Sequence, residues 1–103
     1  MFIVYFKTGC PHSIASVDIL EEHSLKFDKR SQDETDDSVP VSYTTFPRVL
    51  FEHNKQKIFI GGNKELQEFL LLKNKLINDS TTKIKAFRYL TKFQICYILS
   101  KII

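Results

Sequence analysis

Residues 1–13 read MFIVYFKTGCPHS and contain the signals of a strand, a turn and a helix start in close succession. Its first six residues are apolar, which is typical of a strand buried on both faces of a sheet. Thr8 and Gly9 end the strand, and Pro11 suits the first position of a helix, where its missing N–H costs nothing. The pattern therefore predicts a strand over residues 1–6, a tight turn, and a helix from about Pro11 to His23 with Cys10 as its N-cap.

Length and composition indicate one globular domain of α/β type. The chain has 103 residues, 43% of them hydrophobic, which excludes extensive disorder. No apolar segment approaches the roughly 20 residues of a membrane-spanning helix, and the N-terminus lacks the basic region of a signal peptide. With only two cysteines no disulfide framework is expected, so a reducing compartment, the cytoplasm, is the expected location.

Charge is distributed unevenly along the chain. Residues 1–70 carry a net charge of −3, whereas residues 71–103 carry +6. A basic segment can bind nucleic acid or an acidic partner, but a solvated helix face explains it better. The lysines are scattered without interleaved exposed aromatic residues, so we expect neither a nucleic-acid nor a membrane partner.

The remaining strands follow from short apolar runs between turn residues. The pattern predicts a second strand at Leu25–Phe27, a third at Pro47–Phe51 and a fourth at Lys57–Ile60, with a hairpin turn over His53–Gln56. Residues 28–38 are polar and acidic, which is typical of a loop or one weak helical turn.

Two more helices are expected after the hairpin. Gly61-Gly62 ends the hairpin, and Asn63 can cap a helix whose apolar residues fall at helical spacing. Residues 78–81 end that helix and cap another of about 20 residues, which would reach Ile103. The predicted order is β-α-β, a short link, then β-β-α-α, with one crossover and one hairpin.

Cys10 is the residue with the clearest chemistry. A thiol at a helix N-terminus lies beside unpaired N–H groups and the positive end of the helix dipole, and both stabilise a thiolate. Such sites lower a cysteine pKa from about 8.5 to roughly 3.5–7.5. Lys7 can add a positive charge, and His12 adds one when protonated. An exposed thiolate suits thiol–disulfide exchange. The alternative is that Cys10 is a small apolar residue with a packing role only.

Three motifs in register resemble the glutaredoxin family. They are Lys-Thr-Gly-Cys-Pro-His-Ser at 7–13, Thr-Phe-Pro-Arg-Val at 45–49 and Ile-Gly-Gly-Asn-Lys-Glu-Leu at 60–66. The resemblance covers residues 1–72. It implies a thioredoxin-like three-layer α/β fold, in which helices flank a mixed four-stranded sheet. Residues 73–103 are then a C-terminal helical extension packed on the same domain.

The resemblance also implies roles for individual residues. Cys10 would be the nucleophile toward glutathione mixed disulfides, and Lys7 would stabilise its thiolate and reach the glycine carboxylate of glutathione. A cis Phe46–Pro47 bond would let the Phe46 backbone pair with the ligand. The remaining residues at which the resemblance places glutathione are His12, Thr45, Gly62 and Asn63, with Gly61 and Gly62 allowing close approach.

The sequence departs from the family pattern at four places. Ser13 replaces the second cysteine of dithiol members, which leaves a monothiol route. His12 stands where an aromatic residue is usual, and Lys64 stands where the family has the Asp that pairs with the glutathione ammonium group. Residues 28–44 are too few and too polar for the family's second helix.

We therefore expect a monothiol thiol–disulfide oxidoreductase that uses glutathione or a disulfide-containing protein. The alternative is a non-catalytic thioredoxin-fold module whose C-terminal helix binds a protein partner or a second copy of the chain. Cys96 could act as a distant resolving thiol, but an apolar role on the last helix fits its neighbours better. Cys-Pro-His-Ser departs from the Cys-Gly-Phe-Ser of cluster-binding relatives, so no iron–sulfur cluster is expected. The histidines lack metal-ligand spacing, so no zinc site is expected.

Overall fold

The computed structural model describes all 103 residues and has an α/β architecture. Its strands are β1 (Phe2–Phe6), β2 (Phe27–Ser31), β3 (Arg48–His53) and β4 (Gln56–Gly61). Its helices are α1 (Pro11–Glu22), α2 (Asn63–Asn78) and α3 (Lys92–Ile102), and a single 3-10 turn spans Gln32–Glu34.

The four strands form one mixed sheet in the order β2-β1-β3-β4. β1 pairs with β2 in parallel, through the α1 crossover, and with β3 in antiparallel orientation. β3 and β4 form an antiparallel hairpin with an irregularity between Val49 and Leu50. The predicted mixed four-stranded sheet is therefore confirmed.

Alternate side chains of β1 point to opposite faces of the sheet, and both faces are buried. Phe2 and Val4 belong to the larger core cluster, together with buried residues of all three helices. Ile3 and Tyr5 belong to a smaller cluster on the other face. The continuous apolar run of β1 is thus explained by its central position in the sheet.

The three-layer arrangement is present only in part. The buried apolar side chains of α1, α2 and α3 all lie in the larger cluster, on one side of the sheet. The smaller cluster is completed by Val39, Tyr43, Phe46 and Tyr89, which belong to irregular segments. The second face is therefore covered by loops, because residues 32–46 form a single 3-10 turn and no full helix.

The predicted second strand at Leu25–Phe27 is wrong in its position. The observed strand, β2, begins at Phe27 and runs through Asp28, Lys29 and Arg30 to Ser31. These charged residues read as a loop in the sequence, but β2 is an edge strand, half of which faces solvent. Its backbone is fixed by pairing with β1, in a register that sets Phe2 opposite Phe27.

The hairpin turn is shorter than the predicted His53–Gln56. His53, the last residue of β3, pairs with Gln56, the first residue of β4, so only Asn54 and Lys55 form the loop. Both have positive φ, 51° and 66°, as a two-residue hairpin turn of this kind requires.

The expected 20-residue final helix is also wrong, because α3 has only 11 residues. The Asp79 carboxylate accepts hydrogen bonds from the N–H and hydroxyl of Thr81, which stabilises a turn after α2. The helix starts instead at a capping box: Thr91 Oγ1 accepts from Gln94 N–H at 3.1 Å, and Gln94 Oε1 accepts from Thr91 N–H at 2.9 Å.

Helix α3 lies against the main core. Its buried residues Ile95, Ile98 and Leu99 join the larger cluster, and the Tyr97 hydroxyl lies 2.8 Å from His53 Nδ1 at the end of β3. The opposite side of α3 leaves Phe93 and Ile103 exposed, at 80% and 66% of their surface. None of the helices combines the length and apolarity that crossing a membrane would need.

Candidate functional site

The turn between β1 and α1 brings Cys10 to the helix N-terminus, as the sequence predicts. Gly9 has a φ of +79°, a conformation that glycine adopts without the cost borne by other residues. The Cys10 N–H donates to the Lys7 carbonyl at 3.1 Å and closes the turn. Cys10 is the N-cap, Pro11 is the first helical residue, and the thiol is partly exposed.

The surroundings of Cys10 lower the pKa of its thiol below the usual value. The largest cause is the backbone N–H of Ser13, followed, among the stabilising influences, by the Ser13 hydroxyl and the His12 N–H. Partial desolvation acts in the opposite direction, and the positive charge of Lys7 is the smallest influence. The Cys10 side chain completes no capping hydrogen bond, so the N–H groups act on the thiolate mainly as oriented dipoles.

Sequence reasoning missed the role of Ser13, which it treated only as a lost cysteine. Ser13 is fully buried, and its Oγ accepts a hydrogen bond from the Lys7 N–H at 3.2 Å. This bond ties the first turn of α1 to the end of β1. The effect of the Ser13 N–H on Cys10 could have been predicted, because an N-cap side chain characteristically faces the N–H groups two and three residues later.

The segment before β3 forms the wall opposite Cys10. The Phe46–Pro47 peptide bond is cis, which is the geometry that the resemblance implies. The Phe46 carbonyl oxygen lies 3.7 Å from Cys10 Sγ, close enough to accept a weak hydrogen bond from the thiol. The Phe46 N–H is used in no hydrogen bond within the chain, so it is available to a ligand.

Helix α2 begins one residue earlier than predicted, with Gly62 and not Asn63 as its N-cap. Glu65 Oε1 accepts from the Gly62 N–H at 2.9 Å, so the helix is capped by a side chain from within its first turn. The Asn63 amide oxygen instead accepts from Ser16 Oγ at 3.0 Å, which joins α2 to α1. The Asn63 backbone N–H remains at the open end of the helix.

Most of the predicted binding residues line one cleft of ≈ 300 Å³. It contains His12, Thr45, Phe46, Pro47, Gly62 and Asn63, together with Tyr43, Lys64 and Glu65. Cys10 adjoins this cleft through the Phe46 carbonyl. Lys7 lies apart from it, in a second cleft on the β2 side of Cys10.

Tyr43 lines the cleft, although no sequence pattern predicts it there. Its ring packs edge-on against Phe59 and Tyr89, with centroids 5.0 and 5.7 Å away. Its hydroxyl occupies the space that a side chain at Gly62 would need, and the Glu65 side chain fills the corresponding space at Gly61. The resemblance implies that a ligand can approach closely along both glycines. In the structure, the side chains of Tyr43 and Glu65 occupy that space. Burial raises the pKa of Tyr43, which keeps the phenol neutral.

The other candidate residues lie outside this site. Cys96 is exposed on α3, and both cysteines are free thiols. No group of three or more His, Cys, Asp or Glu side chains is arranged to hold a metal ion.

No model of a known protein family matches the chain. A search of curated proteins finds no match either.

The contact between Gly62 and Tyr43 yields a prediction about cleft packing. Gly62→Ala should destabilise the protein by about 1–3 kcal/mol, because the new methyl group overlaps the Tyr43 hydroxyl while the backbone, at φ −100°, accepts alanine. The measurement is the free energy of unfolding in urea. Adding Tyr43→Phe should recover part of the loss, with Tyr43→Phe alone as the control. A Gly62→Ala protein as stable as the parent would contradict the contact.

Proposed function

We propose that the chain has a thioredoxin-like fold of glutaredoxin type and acts as a monothiol thiol–disulfide oxidoreductase. The sheet order β2-β1-β3-β4, with only β1 and β2 parallel, supports the fold. The position of Cys10 at the start of α1, facing the residue before a cis-proline, supports the activity.

The observation that carries the proposal is the environment of the Cys10 sulfur. A partly exposed thiol whose pKa is lowered by the Ser13 N–H has the two properties that exchange requires, access and thiolate character. A structural cysteine needs neither of them. Cys96 is also exposed, but it sits in the middle of α3, away from the N-terminal N–H groups of that helix.

The reaction proceeds in two balanced steps. The Cys10 thiolate attacks one sulfur of a disulfide, the S–S bond breaks, and the other sulfur leaves as a thiolate that takes up a proton. A second thiol from solution then attacks the mixed disulfide, regenerates the Cys10 thiolate and carries away the substrate sulfur as a new disulfide. Ser13 cannot perform this second step, because its buried hydroxyl takes the place of a resolving thiol.

Glutathione fits only part of the site. The free N–H groups of Phe46 and Asn63 can bind its backbone and its γ-glutamyl carboxylate. Lys64 lines the same cleft and opposes the ammonium group of that residue. Glu65 does not compensate fully, because one of its carboxylate oxygens is held by the Gly62 N–H. Glutathione is therefore the proposed small-thiol substrate, bound without a full set of charge partners.

A second candidate function rests on α3. Phe93, Cys96 and Ile103 are exposed on one side of this short helix, as a surface for a protein partner would be. In that case the fold serves as a scaffold and needs no reactive thiol. Only the oxidoreductase function requires that Cys10 react.

Cys10 should be the site of glutathionylation by glutathione disulfide. We expect the Cys96→Ser protein to gain one glutathionyl group at neutral pH, because the Cys10 thiolate attacks glutathione disulfide. It should lose this group when excess reduced glutathione is added, because glutathione thiolate attacks the glutathionyl sulfur and Cys10 leaves as a thiolate. The Cys10→Ser protein should gain none on the same timescale. Intact-mass spectrometry over time measures both. Absence of an adduct in the Cys96→Ser protein would exclude the oxidoreductase proposal and favour the scaffold.

Changing the charge at position 64 should change the rate with glutathione disulfide. Lys64→Asp should react several-fold faster than the parent, because a carboxylate replaces a cation opposite the ligand ammonium group. Lys64→Gln is the matched control and should fall between the two. Rates follow from the same mass measurement under pseudo-first-order conditions. Equal rates for all three proteins would show that the γ-glutamyl end does not bind in this cleft.

A further inference from the structure

A second cleft, of ≈ 450 Å³, lies at the carboxyl ends of β1 and β2. Its lining includes three basic side chains, Lys7, Lys29 and Arg30, against one acidic side chain, Asp33. Only one of its residues is apolar, Phe6. The cleft is therefore a polar surface with an excess of positive charge, in a region of the chain whose overall charge is negative.

The two lysines of this cleft form no ion pairs. The only salt bridges in the structure are Arg30–Asp28, at 2.8 Å, and Lys57–Asp36. The Lys29 ammonium lies 4.5 Å from the centre of the Phe6 ring, which holds it at the cleft wall. Two lysine charges therefore remain available to an anionic ligand, beside a guanidinium that a carboxylate already orients.

This cleft is connected directly to the reactive cysteine. The Lys7 carbonyl accepts the Cys10 N–H at 3.1 Å, and the Lys7 charge contributes to lowering the pKa of Cys10. On the other side of Cys10, the free N–H of Phe46 can pair with an extended backbone. An extended chain advances about 3.3 Å per residue, so side chains one to three residues from a disulfide bound at Cys10 can reach the cleft.

We infer that the preferred substrate is a protein or peptide disulfide with acidic side chains next to its cysteine, whose carboxylates bind at Lys7, Lys29 and Arg30. The inference rests on the proposed function, since it specifies the substrate of the same thiol. Cys10 thiolate attacks the cysteine sulfur of the acidic segment, the S–S bond breaks, and the other half leaves as a thiol. A low-molecular-weight thiol then releases the segment from Cys10 with its cysteine in a mixed disulfide.

The test compares three symmetrical disulfides of blocked pentapeptides, with Asp, Asn or Lys on both sides of the cysteine. The protein is the Cys96→Ser chain, and the rate of mixed-disulfide formation at Cys10 is followed by intact mass at low ionic strength. The readout is the ratio of the Asp-peptide rate to the Lys-peptide rate. Lys29→Gln combined with Arg30→Gln is the test variant, and Lys83→Gln combined with Lys85→Gln removes the same charge at residues that line a different cleft.

Removing the charges of Lys29 and Arg30 should lower the ratio of the Asp-peptide rate to the Lys-peptide rate about tenfold. The Lys83/Lys85 control should keep the parent ratio. The parent ratio should also fall at high salt, because exposed charges are screened. An equal change in both variants, or no change in either, overturns the inference while the proposed function stands. Failure of all three peptides to react with Cys10 overturns the proposed function and this inference with it.

Discussion

The structure depends on the burial of β1 on both faces of the sheet. Residues Phe2–Tyr5 are almost completely inaccessible to solvent, so both faces need a covering layer. The helices cover one face and the irregular segments around Tyr43 and Tyr89 cover the other. Because β1 lies between β2 and β3, its carboxyl end lies in the middle of one end of the sheet and not beside an edge strand's outer side. That position places the Thr8-Gly9 turn, and therefore Cys10, between two clefts.

The chemistry of Cys10 follows from competition between two kinds of contact. The thiol can donate a weak hydrogen bond to the Phe46 carbonyl, which favours the protonated form. The N–H groups at the start of α1, with Ser13 first, favour the thiolate, and they outweigh the opposing effect of partial desolvation, so that the pKa of Cys10 falls overall.

Ser13, which stands where the resemblance to glutaredoxins places a second cysteine, has a structural role in the turn before α1. The hydroxyl is buried and bonded to the Lys7 N–H, so it fixes the turn that presents Cys10. A serine at this position supports the turn that carries Cys10 and cannot form a disulfide with it. Ser13 therefore accounts both for the lack of a second thiol beside Cys10 and for the geometry of the turn.

Much of the site could be predicted from the sequence because it depends on local signals. Gly9 and Pro11 determine where α1 begins, and this locates Cys10 at its N-terminus without knowledge of the tertiary structure. The proximity of Phe46 to Cys10 is a contact between residues 36 positions apart, and only the resemblance to glutaredoxins indicated it. Burial of β1 on both faces was likewise readable from its continuous apolar run.

The wrong predictions arose where tertiary contacts outweigh local pattern. β2 is charged and has no strand signal of its own, because pairing with β1 determines its backbone. Helix α3 begins later than predicted because the Asp79–Thr81 contacts stabilise a turn after α2, and the capping box of Thr91 and Gln94 starts the helix instead. The position of Tyr43 over Gly62 had no sequence signal, because it depends on aromatic packing with Phe59 and Tyr89.

The proposed function requires that the folded structure stabilise the Cys10 thiolate. The most direct measurement is the pH dependence of iodoacetamide alkylation of the Cys96→Ser protein, made on the folded chain and on the same chain in urea. The urea-unfolded thiol should titrate near the model-peptide value of about 8.5. We expect a clearly lower midpoint for the folded protein, so that alkylation stays fast as the pH falls below 8. Coincident midpoints for the folded and unfolded chains would contradict it.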